Sequence, residues 1–393
     1  MPNKKVIIYI GGFKLPDKTA SAVRLMDNAY LLKELGYKVV IIGRLPLVNG
    51  EKIRYLKVYG FDCYEIEKPI ERYYKFKSYE FSIDNLKNIV DNVGVENVYS
   101  VIAYNYPSIA LFKMINYTRS LGIIPVSECT EWYPWQKGGL LGNIKTFLDT
   151  EFRIRYLSKK AKNIICSSRY LSKYYCKYNT IVWPFSVDTS LDRWKQPDGF
   201  YKNETTVFVY TGNPGYGIYK ENIGLTIEAF YKLKKEQYSF VYIIVGINKD
   251  DYLDFFPNHK YMLDYLDDSL VFMGRVSHDK SLSILKKSDF MLFIRPNTKD
   301  NDTGFPTKLM ESITLGVPVI TNITSDIGLY IKNNHNGFIV QQNSLSSLKL
   351  TIEKSLSISE DMMIMMKKAQ RAKNPFSINT IKSEIKGFFN KIK

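Results

Sequence analysis

Cysteine and histidine are scarce in this sequence. Its 393 residues include four cysteines and three histidines. The cysteines are widely spaced and form no C-x-x-C pair, which argues against a disulfide framework or a zinc site; they are Cys63, Cys129, Cys166 and Cys176. We therefore expect buried thiols in a reducing compartment, the cytoplasm.

Long apolar runs are also absent. The first apolar run, Val6–Ile10, is too short for a signal-peptide core or a membrane span, and no other stretch approaches a span. The sequence therefore predicts a soluble protein, or one bound peripherally at the inner face of the plasma membrane. Low-complexity segments are lacking, and 45% of the residues are hydrophobic, so we expect packed domains and not disorder.

Acidic residues are outnumbered, with 39 Asp and Glu against 55 Lys and Arg, giving a net charge of +16. This excess is typical of a protein that meets an anionic partner, and equally of a lysine-rich solvated surface. No nucleic-acid-binding module is recognisable, so we expect no nucleic acid partner. Basic and aromatic residues mix at Arg72–Lys77 and near Phe388 and Phe389, where they would contact an anionic bilayer or form an ordinary basic surface.

The first part of the chain predicts a doubly wound parallel sheet. Val6–Ile10 ends in Gly11-Gly12, an amphipathic helix covers Ser21–Leu35, and Val39–Ile42 forms the next strand. Strand, helix and strand in this order make a βαβ unit. The alternation continues through three further predicted strands: Val98–Ile102, Ile123–Val126 and Asn163–Cys166.

A second series with the same architecture begins near residue 206. A strand before Thr211-Gly212 is followed by a helix over Asn222–Lys234. Further strands are predicted at Phe240–Val245, Leu270–Phe272, Phe290–Phe293, Pro318–Ile320 and Gly337–Val340. We therefore predict an N-terminal domain over 1–185 and a C-terminal domain over 186–372, with a last helix at about 373–393 that packs back on the first domain. Because open α/β sheets bind ligands at the carboxyl ends of their strands, a cleft between the domains is the expected site.

The most specific segment is Asn301–Ser312 with the Gly-Pro turn that follows it. It predicts a loop that opens a helix, where the amides of Thr307, Lys308 and Leu309 would be unpaired donors at a positive helix end. Such an end suits a phosphate, and Glu311 one turn later would accept two ribose hydroxyls. An ordinary capped helix with a surface glutamate explains the pattern equally well.

Gly304–Lys308, together with Glu311 and Gly316–Ile320, resembles the signature of retaining glycosyltransferases of the GT-B fold, family 4 type, also described as glycosyl transferases group 1. In that family two glutamates separated by seven residues flank such a helix start. The second binds the donor ribose and is matched by Glu311. The first lies near the donor sugar; here Thr303 takes its place, and the adjacent Asp302 is a candidate substitute.

The resemblance also assigns donor-binding residues outside that helix. Lys220 matches a lysine that holds the donor pyrophosphate, whereas Asn213 stands where the family has an arginine. Arg275 and Val276 match a turn that contacts the base. Arg295, which ends another predicted strand, would reach a phosphate or the acceptor, or would equally well form a structural ion pair. The predicted donor-binding set is Gly12, Asn213, Lys220, Arg275, Val276, Gly304, Phe305, Thr307, Lys308, Leu309 and Glu311.

In the first domain, Gly12 resembles the family's N-terminal glycine loop, and Arg24 is an acceptor-side candidate. Glu131 takes the place of a histidine that the family carries beside the sugar. The expected catalytic residues are therefore Glu131, Thr303 and Lys220, with Arg24 and Glu131 on the acceptor side. The D-x-D pattern at Asp300–Asp302 is too short to indicate a metal, and we expect neither a metal nor another cofactor.

The resemblance covers about residues 5–345 and implies two facing Rossmann-like domains with a cleft between them. It implies a metal-independent retaining transferase that moves a sugar from a UDP- or GDP-linked donor to a glycan or lipid-linked acceptor, in surface polysaccharide or lipid-linked glycan synthesis. The alternative is a non-catalytic sugar-nucleotide or glycan-binding protein, favoured by Thr303 and Asn213. A dehydrogenase is disfavoured because no G-x-G-x-x-G follows the first strand.

Overall fold

The computed structural model describes residues 5–16, 18–66, 79–133, 140–196, 199–215 and 220–392. The chain divides into two compact units. The first comprises Met1–Val187, Thr303–Phe305 and Ile378–Lys393, and the second comprises Asp188–Asp302 and Pro306–Ser377. The first boundary therefore lies after Val187, and the run Arg72–Lys77 lies outside the described residues.

The first unit contains a sheet of eight strands: β1 (Val6–Lys14), β2 (Lys38–Arg44), β3 (Tyr55–Val58), β4 (Phe61–Glu65), β5 (Val98–Tyr104), β6 (Ile124–Cys129), β7 (Asn163–Cys166) and β8 (Asn179–Val182). Their order is β3-β4-β2-β1-β5-β6-β7-β8. All neighbouring pairs are parallel except β3 with β4, which are antiparallel. Its first six helices are α1 (Ala20–Glu34), α2 (Asp84–Val93), α3 (Ser108–Ser120), α4 (Leu140–Phe152), α5 (Ser158–Ala161) and α6 (Arg169–Tyr174).

The composition of β1 reflects burial on both of its faces. Ile7 and Tyr9 belong to one apolar core, whereas Ile8 and Ile10 belong to the core on the opposite face of the sheet. A continuous apolar run is the expected pattern for such a strand. The strand was predicted to end at Gly11-Gly12, but it continues to Lys14, with a register irregularity against β2 between Ile10 and Lys14.

The second unit contains a parallel sheet of six strands: β9 (Val207–Thr211), β10 (Val241–Val245), β11 (Leu270–Gly274), β12 (Phe290–Phe293), β13 (Val319–Thr321) and β14 (Gly337–Ile339). Their order is β11-β10-β9-β12-β13-β14. Its helices are α7 (Ile223–Lys235), α8 (Lys249–Phe255), α9 (Lys260–Leu266), α10 (His278–Lys286), α11 (Lys299–Thr303), α12 (Thr307–Leu315), α13 (Ile327–Tyr330), α14 (Leu345–Leu356) and α15 (Glu360–Arg371).

The last helix, α16 (Ile378–Lys391), belongs to the first unit. Its apolar face, with Ile385, Phe388 and Phe389, joins the core that contains Ile7 and Tyr9. Phe388 and Phe389 are buried, so these two side chains do not supply the bilayer contact that was one of the two alternatives for this segment. No helix in the described part of the chain is both long and apolar enough to span a membrane.

The cysteines are free thiols, as the sequence indicated. Cys63, Cys129 and Cys166 are buried, whereas Cys176 is exposed, which corrects the expectation of four buried thiols. Burial raises the pKa of the Cys63 thiol to about 12, so this side chain packs as a small apolar group.

Candidate functional site

The strand order of the second unit reverses between β9 and β12. The chain proceeds from β9 to β10 and β11 on one side of the sheet, and from β12 to β13 and β14 on the other. Open parallel sheets bind ligands at the carboxyl edge of such a reversal, because the following loops diverge and leave a crevice. Gly212 directly follows β9, and Arg295 lies two residues after β12. The site is built around these two positions.

Three neighbouring strands of this sheet end at a glycine or are followed by one at the carboxyl edge. Gly212 follows β9, Gly246 follows β10, and Gly274 ends β11, with φ of 122°, 117° and 60°. A Cβ at Gly246 would lie 2.0 Å from the Gly212 carbonyl oxygen, so the close approach of these two loops requires glycine. The result is an edge of exposed backbone next to Lys308, whose Cε would lie 3.4 Å from a Cβ at Gly212.

Lys308 is the best-placed cation at this edge. It lies in the first turn of α12, and its Nζ is 2.7 Å from Glu221 Oε2 and 3.4 Å from the Tyr210 hydroxyl. The ammonium also lies over the Tyr210 ring, 4.4 Å from its centroid. Burial lowers the pKa of Lys308, while Glu221 acts in the opposite direction. The sequence indicated Lys308 through its main-chain amide; in the structure its side chain is also directed to the carboxyl edge.

The charges of two further cations, Arg295 and Lys220, act on Lys308. Arg295 is 1% exposed, and its Nε is 3.8 Å from Glu221 Oε1. Lys220 precedes Glu221 in the chain, and its charge contributes to the lowered pKa of Lys308. Asn301 Nδ2 donates to the Lys220 carbonyl at 3.2 Å, which fixes the backbone of this loop. Lys308 and Arg295 therefore both pair with Glu221, and the charge of Lys220 acts on the same lysine, which makes this edge suited to an anionic ligand.

The start of α12 differs in one respect from the prediction. The Leu309 amide donates to the Pro306 carbonyl at 3.1 Å, so it is already used within the first turn. Its predicted role as an unpaired donor is therefore wrong. Thr307 is the first residue of the helix and Lys308 the second, and no side chain caps this helix start. The positive end of the helix dipole adds to the charges of the lysines and Arg295.

Glu311 lies one turn along α12 and is held by a residue that the sequence analysis did not assign. His278 Nε2 is 2.9 Å from Glu311 Oε1, and both side chains are largely buried. His278 opens α10, and its ring meets Trp194 edge-on, with 6.5 Å between the centroids. The one available signal was the position of His278 just after the predicted Gly274–Ser277 turn.

The other predicted residues of the second unit lie at the same carboxyl edge. Asn213 is exposed, and its Oδ1 accepts from the Gly215 amide at 2.9 Å, so its side chain closes a turn of its own loop. Arg275 is exposed and Val276 half-buried in the turn after β11. Asp300 is buried in α11, where its Oδ1 accepts from the Thr298 hydroxyl at 2.6 Å.

Thr303, Gly304 and Phe305 are grouped with the first unit. Thr303 is fully buried; its Oγ1 accepts from the Trp132 amide at 2.9 Å, and its carbonyl accepts from the Ser168 hydroxyl at 2.7 Å. These bonds give Thr303 a structural role at the position where the family has a glutamate. The ring of Phe305 packs against that of Phe185, with 5.9 Å between the centroids.

Arg24, predicted on the acceptor side, is buried in the first unit. Its Nη2 is 2.5 Å from Glu128 Oε1 and donates to the Trp183 carbonyl at 2.5 Å. The Tyr9 hydroxyl donates to the other oxygen of Glu128. Burial raises the pKa of Glu128, while Arg24 and the Tyr9 hydrogen bond act in the opposite direction. The geometry therefore makes Arg24 part of a buried polar network behind the strand ends.

Gly12 and Glu131 lie nearer to the surface. Gly12 is exposed within β1, and a Cβ there would lie 3.5 Å from the Tyr79 hydroxyl. Glu131 is half-buried two residues after β6, and its charge raises the pKa of Tyr133 after the larger effect of burial. The structure thus brings Lys220, Lys308 and Glu311 to the edge of one unit, and Gly12 and Glu131 to the strand ends of the other.

Comparison with known families finds a match over part of the chain. Residues 193–372 match the family model described as glycosyl transferases group 1. This range contains most of the second unit and all of the residues that surround Lys308 and Glu311.

Two curated bacterial proteins are similar in sequence. One is the putative colanic acid biosynthesis glycosyltransferase WcaL of Escherichia coli, 24% identical over 169 residues that make up 42% of this chain and 41% of WcaL. The other is the amylovoran biosynthesis glycosyltransferase AmsK of Erwinia amylovora, 27% identical over 157 residues, or 39% of this chain and 37% of AmsK. The chain thus spans about four-tenths of the length of these relatives.

Solved structures resemble the whole chain. A glycosyltransferase from Rickettsia africae has a TM-score of 0.70 and 16% identity, covering 99% of both chains. Alr3699/HepE from Anabaena, determined in complex with UDP and glucose, has a TM-score of 0.68 and 13% identity, covering 99% of this chain and 100% of that one. At these identities the likeness concerns the fold.

Proposed function

Through residues 193–372 the chain belongs to the glycosyl transferases group 1 family, with the GT-B fold, and we propose that it transfers a glycosyl unit from a nucleoside diphosphate sugar to an acceptor hydroxyl. The proposed donor site is the carboxyl edge of the second sheet. The proposed donor is UDP- or GDP-linked.

One observation carries this proposal: Lys308 and Arg295 both lie by the Glu221 carboxylate, beside Gly212, and the charge of Lys220 acts on Lys308 as well. A diphosphate carries more negative charge than a single carboxylate and would form stronger charge-assisted hydrogen bonds with these cations. Because Gly212 has no side chain, phosphate oxygens can approach the backbone and the Lys308 ammonium together. The same charges would stabilise the diphosphate as it leaves the sugar.

Glu311 is proposed to accept hydrogen bonds from the donor ribose. The His278 contact at 2.9 Å engages Oε1 and fixes the carboxylate in one orientation. A held carboxylate loses less entropy on binding than a mobile one, which makes His278 a positioning residue. The Anabaena neighbour in complex with UDP and glucose supports a uridine nucleotide as the first candidate.

We propose that transfer proceeds with retention of configuration and without a metal. The departing diphosphate, held by Lys220 and Lys308, would assist deprotonation of the attacking hydroxyl, so that little side-chain base chemistry is required. Glu131 is proposed to orient the acceptor hydroxyl or to stabilise positive charge on the sugar in the transition state. Since Thr303 is buried and bonded through its side chain, its predicted catalytic role is not part of this proposal.

The proposed acceptor is a growing surface polysaccharide or a lipid-linked glycan. The names of the similar proteins, which refer to colanic acid and amylovoran biosynthesis, support this class. The alternative is a non-catalytic sugar-nucleotide-binding or glycan-binding protein. It is favoured by Thr303, because a carboxylate of the family is replaced by a residue that accepts hydrogen bonds from Trp132 and Ser168.

The test is turnover of UDP-, GDP- and ADP-linked hexoses, followed by release of the nucleoside diphosphate with and without a chelator. We expect release from one donor class by wild type and by Lys195→Met, an exposed-lysine control, and a loss of at least about tenfold in Lys308→Met. Binding without turnover under all conditions would favour the non-catalytic alternative. An inverted anomer in the product, seen by NMR, would contradict retention.

A further inference from the structure

The first unit contains a buried arginine outside the residues considered so far. Helix α4 passes directly into a π-helix of five residues, Arg153–Leu157. Such insertions shift the side chains that follow, and they are frequent at functional sites because they place a residue where a regular helix would not. Arg153, at the start of this insertion, is 3% exposed.

The Arg153 guanidinium is only partly satisfied. Its Nη1 donates to the Asn105 carbonyl at 2.7 Å, and its Cζ lies 5.9 Å from the centroid of the Tyr133 ring. Among the residues that the structure describes, its Nε and Nη2 have no hydrogen-bond partner. A buried cation in this state is costly unless an anion completes its bonding.

The carboxylates on the same helix are engaged elsewhere. Asp149 Oδ1 accepts from the Ser108 amide at 2.7 Å. Glu151 accepts from Trp132 Nε1 at 2.5 Å and pairs with Arg155. Arg153 is thus left facing a carbonyl and an aromatic ring, and neither of these two carboxylates is bonded to it.

The arginine lies at the carboxyl edge of the first sheet. Asn105 follows β5 with a φ of 39°, and its side chain is bonded twice to Thr130, which follows β6. Nδ2 donates to Thr130 Oγ1 at 2.5 Å, and the Thr130 amide donates to Oδ1 at 3.1 Å. This rigid pair fixes both the Asn105 carbonyl and the loop that continues to Glu131 and Tyr133. An oxyanion bound by Arg153 would therefore meet an already ordered surface.

We propose that Arg153 is the anchor of an oxyanion subsite in the first unit, which takes a phosphate or a uronate carboxylate. Nε and Nη2 form one edge of the guanidinium fork and match two oxygens of such a group. The inference that the oxyanion belongs to the glycosyl acceptor rests on the proposed function, whereas the subsite itself does not.

The experiment is calorimetric titration in a Lys308→Met background, which weakens the anion site of the second unit. The probes are glucose 1-phosphate, glucuronate and glucose, with Arg153→Met as the test and Arg155→Met as the matched control. Arg155 lies two residues further on, half-exposed and paired with Glu151. We expect binding of one or both anionic sugars but not glucose, lost by about 10- to 100-fold in Arg153→Met and retained in Arg155→Met.

The two anionic probes separate a phosphate-bearing from a uronate-bearing acceptor. Arg153→Lys, which keeps the charge but loses the fork, should retain part of the affinity and guards against a folding defect in Arg153→Met. Equal affinity in folded Arg153→Met, or no binding of either anion to the parent protein, would overturn the subsite. Donor turnover with no anion binding contradicts this inference alone, and anion binding without turnover contradicts the proposed function alone.

Discussion

Lys308 and Glu221 form a buried ion pair at the carboxyl edge of the second sheet, with 2.7 Å between Nζ and Oε2. The lysine comes from the first turn of α12, and the glutamate from the loop before α7. Removing two such charges from water costs free energy, and the attraction within the pair offsets that cost only with good geometry and further hydrogen bonds, such as one from the ammonium to a ligand. The pair therefore links the stability of this edge to the chemistry proposed for it.

The pH dependence of nucleotide binding should reveal Lys308. Burial holds its pKa below the ordinary value of 10.5, and Glu221 limits the shift. Because the protonated ammonium is the form that attracts a diphosphate, UDP affinity should fall as pH rises through this lowered pKa. Glu221→Gln removes the group that raises the pKa, so the alkaline loss should move to lower pH by about 1 unit or more. Calorimetric titration with UDP, from neutral pH to the highest pH at which the protein stays folded, measures this shift.

The control for this profile is Glu236→Gln, which removes a surface partner of Lys349 in the same unit. Its profile should match wild type. A profile for Glu221→Gln that also matches wild type would show that Lys308 does not govern the binding.

Glu311 should matter for the nucleoside and not for the phosphates. Glu311→Gln is expected to weaken UDP binding by about tenfold or more, since a carboxylate that accepts ribose hydroxyls is lost. The affinity for inorganic pyrophosphate should change by less than about twofold. Parallel titrations with both ligands measure the difference, and His278→Phe should give a smaller effect of the same kind, because His278 acts through Glu311.

An equal loss of UDP and pyrophosphate affinity in Glu311→Gln would contradict the ribose assignment. It would place Glu311 in the general charge balance of the edge instead.

Gly246 should be among the most sensitive glycines in the second unit. A Cβ there would lie 2.0 Å from the Gly212 carbonyl oxygen, and the φ of 117° is strained for any other residue. Gly246→Ala is therefore expected to lower the free energy of unfolding by about 3 kcal/mol or more. Urea denaturation measures the change.

Gly387 in α16 provides the opposite case. No atom of the described residues lies within 4 Å of a Cβ placed there, so Gly387→Ala should raise the free energy of unfolding by about 0.5–1 kcal/mol. If Gly246→Ala were as stable as wild type, the close approach of the two loops would be refuted.

Arg24 should be a stability residue. Its pair with Glu128 is buried, so Arg24→Met leaves a carboxylate without its cation and should cost about 3–5 kcal/mol of unfolding free energy. The double variant Arg24→Met, Glu128→Gln removes both charges and should recover more than half of that loss. Thermal and urea unfolding of the three proteins measure the coupling.

Nucleotide binding should be unchanged in the double variant, because the pair lies in the first unit. If Arg24→Met had the same free energy of unfolding as wild type, the acceptor-side role predicted from the sequence would be the better interpretation of Arg24.

Most of the fold could be predicted from the sequence because parallel strands buried on both faces appear as continuous apolar runs. Three strands of the first sheet, β3, β4 and β8, were missed, and they lack this property. β4 lies inside the sheet, but its buried and half-buried residues alternate at its start. β3 reads Tyr-Leu-Lys-Val and is largely exposed at the sheet edge, next to its antiparallel partner β4. β8 is a short, partly exposed edge strand at the opposite end of the sheet. The apolar sequence pattern of an edge strand is weaker, because one side of the strand faces solvent.

The site could be predicted only as far as local motifs extend. Glu311 and Lys308 belong to one helix start and were identified together. The contact between His278 and Glu311 joins residues 33 positions apart, and nothing in the local sequence specifies it. The π-helix at Arg153 is likewise a packing result with no sequence signature. Positions where this chain departs from the family, such as Thr303, could be identified from the sequence. The hydrogen bonds that these residues make could not be predicted.

The proposed donor site is tested most directly by calorimetric titration of wild type, Lys308→Met and Lys195→Met with UDP, GDP and ADP. One nucleoside diphosphate should bind wild type and Lys195→Met equally, and should bind Lys308→Met about 10- to 100-fold more weakly. Binding that is indifferent to Lys308, or no binding of any nucleoside diphosphate to wild type, would contradict the claim that the carboxyl edge of the second sheet is the donor site.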